Sequence, residues 1–220
     1  MPFFATLHVI DDNDSRSAAM NMAIDEALLE LCTAPTLRFY EWRTSSVSFG
    51  YFGNYIEVAR EEPSREIVRR WTGGGSVLHG SDLTYSITLP AKPSASLPPS
   101  RTIYAHVHKA IRDLLADSHQ AMLARMSVPK ISGACFTNPV SDDVLVGERK
   151  IAGAAQRRTR AGLLHQGSIQ LQPLPPDFPQ AFAAALSAEL RSQRITPEVN
   201  RRAAELSKQK YGNSEWLRRR

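Results

Sequence analysis

RRWTGGGSVLHGSDLTYS, residues 69–86, is the stretch from which the rest of this chain can be read. Ile67 to Trp71 reads as a short strand, Gly73, Gly74 and Gly75 follow in a row, and Val77 and Leu78 resume an extended pattern. Leu83, Tyr85, Ile87 and Leu89 then alternate, which puts them on one face of a strand. Three glycines without Cβ atoms let the backbone approach a ligand closely, and successive N–H groups in such a turn can address an anionic or carbonyl oxygen. Arg69 and Arg70 place positive charge before the loop; Ser76 and His79 come after it. The loop is not a P-loop, because no Gly-Lys-Ser/Thr follows, nor a dinucleotide fingerprint, because no G-x-G-x-x-G opens a helix. Glycines alone would read as a flexible hairpin loop. With two arginines and a histidine around them, a site for a carboxylate, an acyl carbonyl or a phosphate is the better reading.

Working outward, Thr6 to Ile10 is a strand, and Asp14 and Ser15 read as the cap of a helix whose Met20, Ala23, Ile24, Ala27, Leu28 and Leu31 recur at helical spacing. Leu37 to Trp42 and Val47 to Phe52 are strand-like. Ile103, Val107, Ala110, Ile111, Leu114 and Leu115 define a second amphipathic helix after a Pro- and Ser-rich loop at 91–101. Val144 to Val146 and Lys150 to Ala152 form a hairpin whose turn Gly147 opens, and Leu163 to Leu171 is a further strand. Strands flanked by helices without regular βα alternation predict an α+β fold with a mixed sheet. The division expected is a domain over 1–175 and a helical C-terminal tail over 176–220, with helices at Pro179–Leu190 and Pro197–Tyr211.

The chain has 220 residues, 42% hydrophobic and 22% charged, enough for a real core and too apolar for wholesale disorder. No apolar run approaches ~18 residues, so no transmembrane helix and no membrane partner is expected. The N-terminus has no basic stretch ahead of an apolar one and reads as lacking a signal peptide. Two cysteines, Cys32 and Cys135, make neither a disulfide scaffold nor a zinc-site spacing, so the expectation is a reducing, cytoplasmic protein without a metal. The net charge of +5 permits an anionic partner, but no basic stripe interleaved with aromatics points to nucleic acid.

Two residues outside the loop stand out. Cys135 lies in Ser132-Gly-Ala-Cys-Phe-Thr-Asn-Pro139, where small neighbours argue for an irregular, accessible segment. A reactive thiol needs such access and an electropositive setting. Lys150, beside Ile151, Ala152 and Gly153, falls on or near a buried face, where lysines often hold a charged or carbonyl oxygen. Each has a plainer reading: a lone cysteine is more often structural, and a strand lysine usually faces solvent with its stem packed. Cys32, closing an apolar helical stripe, fits packing. His165, before Gln166 and Gly167, reads equally as a site residue or a hydrogen-bonded core histidine.

At this point the motifs become recognisable. Residues 69–86 resemble the R-R-x-x-G-G-x-x-V-x-H-D signature and following Leu-x-Tyr strand of the lipoate–protein ligase and octanoyltransferase family. Gly147-Glu-Arg-Lys150-Ile-Ala-Gly153-Ala154-Ala-Gln156 resembles its G-x-K-I-x-G-x-A-Q block, and Leu164-His165-Gln-Gly167-Ser168 its L-x-H-G-S/T block. The Asn21-Met-Ala-Ile-Asp25 helix and Ser48-x-Gly50-Tyr51 fit as well, so the resemblance spans residues 15 to 172. The family's His-Asp pair is His79-Gly80 here, with Asp82 two positions later. The resemblance implies the fold shared with biotin ligases and transfer of an eight-carbon acyl group to a lysine of a lipoyl domain. One octanoyltransferase branch uses a cysteine in an A-C-F segment, matched by Ala134-Cys135-Phe136. It thereby implies Cys135 as nucleophile and Lys150 as the acyl-orienting cation. Substrate contacts fall to Arg69, Arg70, Gly73, Gly74, Gly75, Ser76, Val77, His79, Tyr85, Gly153, Ala154, His165 and Gly167. The implied donor is octanoyl acyl carrier protein; the implied acceptors are lipoyl-domain proteins such as the glycine cleavage H protein or a 2-oxoacid dehydrogenase E2. No cofactor is implied for that branch. A ligase on the same fold would instead use ATP and Mg²⁺, and a non-catalytic lipoyl-domain-binding relative is the third alternative.

Overall fold

A computed structural model describes residues 2–91, 97–125 and 139–219. In chain order the strands and helices are β1 (Phe4–Arg16), α1 (Ala18–Leu31), β2 (Thr36–Trp42), β3 (Ser46–Phe49), α2 (Tyr55–Glu61), β4 (Glu66–Arg69), β5 (Val77–His79) and β6 (Leu83–Pro90). Then come α3 (Ser100–His119), β7 (Met122–Leu123), β8 (Val144–Val146), β9 (Arg149–Arg158), β10 (Gly162–Ile169), α4 (Phe178–Leu186), β11 (Ser187–Ser192), α5 (Pro197–Leu206) and α6 (Ser214–Arg218), with a π turn over Ser207–Tyr211 between the last two helices.

The strands form an eight-stranded sheet, ordered β11-β1-β2-β6-β10-β9-β8-β7, and a three-stranded sheet, β4-β3-β5. β1 runs parallel to both β11 and β2, the other pairs of the large sheet are antiparallel, and the small sheet mixes both kinds. This is the mixed-sheet α+β arrangement expected. The alternation predicted for β6 is what separates the two faces. Tyr85, Ile87 and Leu89 join Leu37 and Phe39 in a core under α3 and α4, packed by Ile103, Val107, Phe178 and Phe182. The opposite face carries Thr84, Ser86 and Thr88, all buried, below α1 and its own apolar cluster of Ile24, Ala27 and Leu28 with Val199, Ala203 and Leu206 of α5.

Three local expectations shift. Strand β1 runs on to Arg16, whose guanidinium is held by Asp12 and Asp14, so the cap of α1 is Ser17, accepting from the Met20 N–H at 3.3 Å, and not Asp14 or Ser15. The helix predicted over Pro179–Leu190 stops at Leu186. The next six residues pair with the open edge of β1, Phe4 opposite Ser187 and Leu7 opposite Leu190, a long-range contact that overrides local propensity. Helix α2 begins at Tyr55 with Asn54 as its cap, inside a stretch with no apolar periodicity. The Gly147 turn is as predicted, with φ +58 between β8 and β9. No helix of the described residues is long and apolar enough to cross a membrane.

Candidate active site

A cleft opens between the small sheet and β9–β10, enclosing about 370 Å³ of empty space continuous with solvent. Met22, Trp42, Val77, Ala154 and Ala155 give it apolar walls; Ser48, Arg70, His79, Thr84, Gln166 and Ser168 give it polar ones.

The polar wall is one connected network. The Arg70 guanidinium donates to the Ser48 hydroxyl and carbonyl, both at 2.7 Å, and to the carbonyls of Gly73 at 3.0 Å and Gly75 at 2.8 Å. It therefore braces the glycine loop through its carbonyl oxygens. The Ser48 hydroxyl sits 2.7 Å from His79 Nε2, and His79 Nδ1 sits 2.8 Å from Asp82 Oδ2. The same oxygen accepts from Thr84 and Ser168 at 2.7 and 2.6 Å. Burial pulls the His79 pKa below its usual value despite the neighbouring carboxylate, so the ring is neutral at pH 7, with Nδ1–H toward Asp82 and Nε2 accepting from Ser48. Burial pushes the Asp82 pKa up, but the His79 ring and the Ser168 and Thr84 hydroxyls outweigh it, and the carboxyl stays ionised. The Trp42 indole stacks on the His79 ring at 3.9 Å and donates to Thr84 at 2.8 Å, fixing the ring's plane. Asp82, two residues past the position where the motif expects it, is thus the carboxylate partner of His79.

The floor ties α1 to the glycine loop. Gln166 donates to Asp25 at 2.7 Å and accepts from Thr72 at 2.8 Å. Asp25 also takes Arg38 at 2.8 Å and Ser86 at 2.7 Å. Arg38, fully buried, is neutralised by Asp25 and Asp12, as a charge in that position requires.

The Lys150 ammonium is buried behind Gly153 of the opposite wall and does not itself line the cleft. Its Nζ lies 2.8 Å from Asp143 Oδ2, and Asp143 accepts from the Tyr104 hydroxyl at 2.5 Å and from the Val140 N–H at 2.7 Å. A bulge in the β8–β9 ladder, where Val144 pairs with Ala152 but Leu145 with Lys150, shifts the alternation by one residue. Lys150 consequently shares a face with Gly153, and a Cβ on Gly153 would stand 2.3 Å from Lys150 Cε and 2.6 Å from Nζ. The ammonium occupies the space that glycine leaves.

The residues predicted from sequence divide clearly. Arg70, Val77, His79, Gly153, Ala154 and Gly167 line the cleft. Gly73, Gly74, Gly75 and Ser76 form the adjoining loop without lining it. Tyr85 and His165 lie behind the wall. The Tyr85 ring fills the space a Cβ on Gly167 would take, 2.2 Å from it, and burial raises the phenol's pKa. His165 accepts from the Gln156 amide at Nδ1, 2.9 Å away, and its Nε2 is 3.4 Å from the Tyr85 hydroxyl; burial lowers its pKa to about 3, so it is a neutral core histidine. Arg69 is turned away altogether. Its guanidinium binds the carbonyls of Tyr51, Gly53, Trp216, Leu217 and Arg219, fastening the C-terminal helix. Cys32 caps α1, and burial pushes its thiol above the usual value. Cys135 lies outside the described residues. Sequence reasoning assigned no role to Ser48, Tyr104, Asp143 or Gln166; Ser48 and Gln166 sit inside quoted motifs, Tyr104 and Asp143 in none.

Residues 17–213 match the lipoyl protein ligase A/B catalytic domain. The octanoyltransferase LipM of Brevibacillus brevis is 30% identical across 94% of this chain and 97% of that protein. The octanoyltransferase LipM of Bacillus subtilis is 35% identical across 73% of this chain and 64% of its own length, so the match spans less than two thirds of that relative. Among solved structures, a lipoate-protein ligase A bound with ATP superposes with a TM-score of 0.74 over 99% of this chain and 98% of its own, at 21% identity, a likeness of fold.

Proposed function

Because the chain belongs to the lipoyl protein ligase A/B catalytic-domain family, we propose that it is an acyltransferase moving an octanoyl group from a carrier thioester to a lysine of a lipoyl-domain protein, through an acyl-enzyme on Cys135. The observation that carries this reading is the position of Asp143. Its carboxylate holds the Lys150 ammonium against Gly153, a residue of the cleft lining, while Lys150 itself does not line the cleft. Its carbonyl accepts from Ala124 at 2.8 Å, and the neighbouring Asp142 N–H donates back to Ala124 at 3.0 Å. The residues on either side of segment 126–138 are therefore stitched together beside Lys150.

The reaction has two steps. The Cys135 thiolate attacks the thioester carbonyl; the new S–C bond forms, the carrier S–C bond breaks, and the carrier thiolate takes a proton from solvent. The amine of the lipoyl-domain lysine then attacks the acyl-enzyme, loses a proton, and releases the Cys135 thiolate. In both steps the developing oxyanion is stabilised by the Lys150 ammonium, with glycine-loop N–H groups as further donors. The apolar wall at Met22, Trp42 and Val77 receives the alkyl chain, worth about 0.8 kcal/mol for each CH₂ it buries. The donor class is an octanoylated carrier protein; the acceptor class is the lipoyl domain of a glycine cleavage H protein or a 2-oxoacid dehydrogenase E2.

Intact mass spectrometry after incubation with octanoyl carrier protein tests the reading. A single octanoyl adduct that is absent in Cys135→Ala and passes to added lipoyl domain is the expected result. Undiminished transfer by Cys135→Ala overturns the covalent route. Modification from free octanoate that depends on ATP and Mg²⁺ selects the ligase alternative.

A further inference from the structure

Three cations and three aromatic rings form a closed ring beyond the glycine loop. The Arg157 guanidinium lies 5.1 Å from the centre of the Tyr51 ring and 5.2 Å from that of Trp71. Lys210 Nζ lies 4.1 Å from Trp71 and 4.5 Å from Trp216. Arg219 lies 4.6 Å from Tyr51 and 5.1 Å from Trp216. Each ring thus serves two of the cations. Lys210 pairs with Glu26 at 2.6 Å, whereas neither arginine has a carboxylate partner among the described residues. Among the described residues Glu26 is the one carboxylate in contact with any of the three cations, Glu30 acts on Lys210 from farther off while paired with Arg202, and the cluster stays net positive. A guanidinium parked on a ring face keeps its N–H edge free for a phosphate.

The location restricts which anion. Arg157 sits on β9, on the same face as Gly153 and Ala155. Ala155 lines the cleft and packs 3.6 Å from the Cβ position of Gly74. Gly153 is where the Lys150 ammonium rests. Four residues at about 3.3 Å each separate the backbone of Gly153, against which the Lys150 ammonium rests, from that of Arg157, roughly 13 Å. That spacing matches a substrate with a thioester at one end and a phosphate at the other, joined by an extended arm.

We propose that Arg157, Lys210 and Arg219 bind the phosphate of a phosphopantetheine thioester whose arm lies along β9 with its acyl carbonyl at Lys150. The inference rests on the octanoyl-transfer reading and specifies its donor. Carrier-borne and coenzyme A-borne thioesters share this phosphate; octanoyl-pantetheine lacks it.

The test compares octanoyl carrier protein, octanoyl-coenzyme A and octanoyl-pantetheine as donors for the wild type, Arg157→Ala and Arg219→Gln. Each variant is expected to raise KM for both phosphate-bearing donors roughly tenfold, the equivalent of one charged hydrogen bond, and to leave KM for octanoyl-pantetheine and for the acceptor domain unchanged. A change shared by all three donors overturns the proposal. So does one confined to the carrier protein, which would mark a protein-docking surface, or one in acceptor KM alone, which would mark a lipoyl-domain surface. A binding readout separates this from the transfer reading. Free coenzyme A is expected to change the fluorescence of Trp71 and Trp216 at concentrations where pantetheine does not, and to do so about tenfold more weakly in Arg157→Ala. If that holds without turnover from any donor, the octanoyl-transfer reading fails while the phosphate site stands. If coenzyme A and pantetheine behave alike, the phosphate site fails.

Discussion

Gly153→Ala separates the placement of Lys150 from the stability of the fold. The added methyl would lie 2.3 Å from Lys150 Cε, 2.6 Å from Nζ and 3.2 Å from Asp143 Oδ1. Ordinary carbon–nitrogen contact is close to 3.5 Å, so the ammonium has to retreat by about 1 Å. Backbone is not in the way, and the obstructing atoms are the far end of a flexible side chain, so the clash is relieved by a rotamer change. That change opens the 2.8 Å contact with Asp143. Two effects on stability oppose each other: alanine in a strand gains about 0.5–1 kcal/mol over glycine, and a weakened buried ion pair costs a comparable or somewhat larger amount. The net shift in Tm is expected to stay within about 4 °C, at 2–4 °C per kcal/mol for a chain of this size. Catalysis has no such compensation. A charged group displaced by about 1 Å from a developing oxyanion costs on the order of 100-fold. Single-turnover octanoyl transfer to a lipoyl domain, run beside a thermal melt, is the assay. A transfer rate within threefold of wild type at unchanged Tm would refute the claim that the glycine exists to seat the lysine.

His165→Gln keeps a hydrogen-bonding side chain but removes a group that must stay neutral in the fold. With a folded pKa of about 3 against 6.5 unfolded, the unfolded chain binds the extra proton between those values. Stability therefore falls as pH drops below 6.5, and the loss between pH 7 and 5, read by urea unfolding, should shrink by about 2 kcal/mol in the variant. Gly167→Ala drives a methyl to 2.2 Å from the buried Tyr85 ring, which has nowhere to move; overpacking of roughly 1–3 kcal/mol should lower Tm by about 5 °C. Arg69→Ala frees the carbonyls of Trp216, Leu217 and Arg219; limited proteolysis should cut first near α6, and KM for phosphate-bearing donors should rise while that for octanoyl-pantetheine stays unchanged, because Arg219 and Trp216 lose their placement. Arg70→Lys replaces a fork by a single ammonium that cannot serve Ser48, Gly73 and Gly75 together. Amide exchange over residues 72–77 should accelerate and transfer should slow; unchanged exchange would contradict the bracing role.

The parts of the molecule visible in the sequence are those decided by near neighbours. The alternation Leu83, Tyr85, Ile87, Leu89 could be read directly because a strand at a two-faced sheet must sort its side chains by period two. Gly147 could be read because a tight turn needs φ above zero. The burial of Lys150 was legible from its apolar flanks. What could not be read were groups meeting across the chain. Asp143 gains meaning only when the β8–β9 bulge turns Lys150 toward it and α3 brings Tyr104 to its other oxygen. Ser48 looks like any polar strand residue until β5 sets His79 beside it. Strand β11 was hidden because Ser187–Ser192 pairs with a partner at the far end of the sequence.

The two adjacent arginines show why a motif overstates ligand contacts. Both are buried and both are charged, yet Arg69 ends β4 and Arg70 begins the loop, so their side chains leave on opposite sides. Arg69 spends its donors on five carbonyls, three of them in the C-terminal segment. Arg70 spends its donors on Ser48 and the glycine loop. A trans peptide sets N–H opposite to C=O in one plane. Holding the carbonyls of Gly73 and Gly75 therefore turns the N–H groups of Gly74 and Ser76 away from the guanidinium. Neither donates to another backbone group among the described loop contacts. Those amides are the donors proposed for the oxyanion, and Gly74 is needed for its φ of +87, which residues with a side chain rarely adopt, whereas a Cβ on Gly73 would meet open space. In the same segment Arg69 anchors the helix that carries Trp216 and leads to Arg219. One arginine braces the glycine loop beside the cleft, and its neighbour holds the segment that carries Arg219, one of the cations proposed for the phosphate.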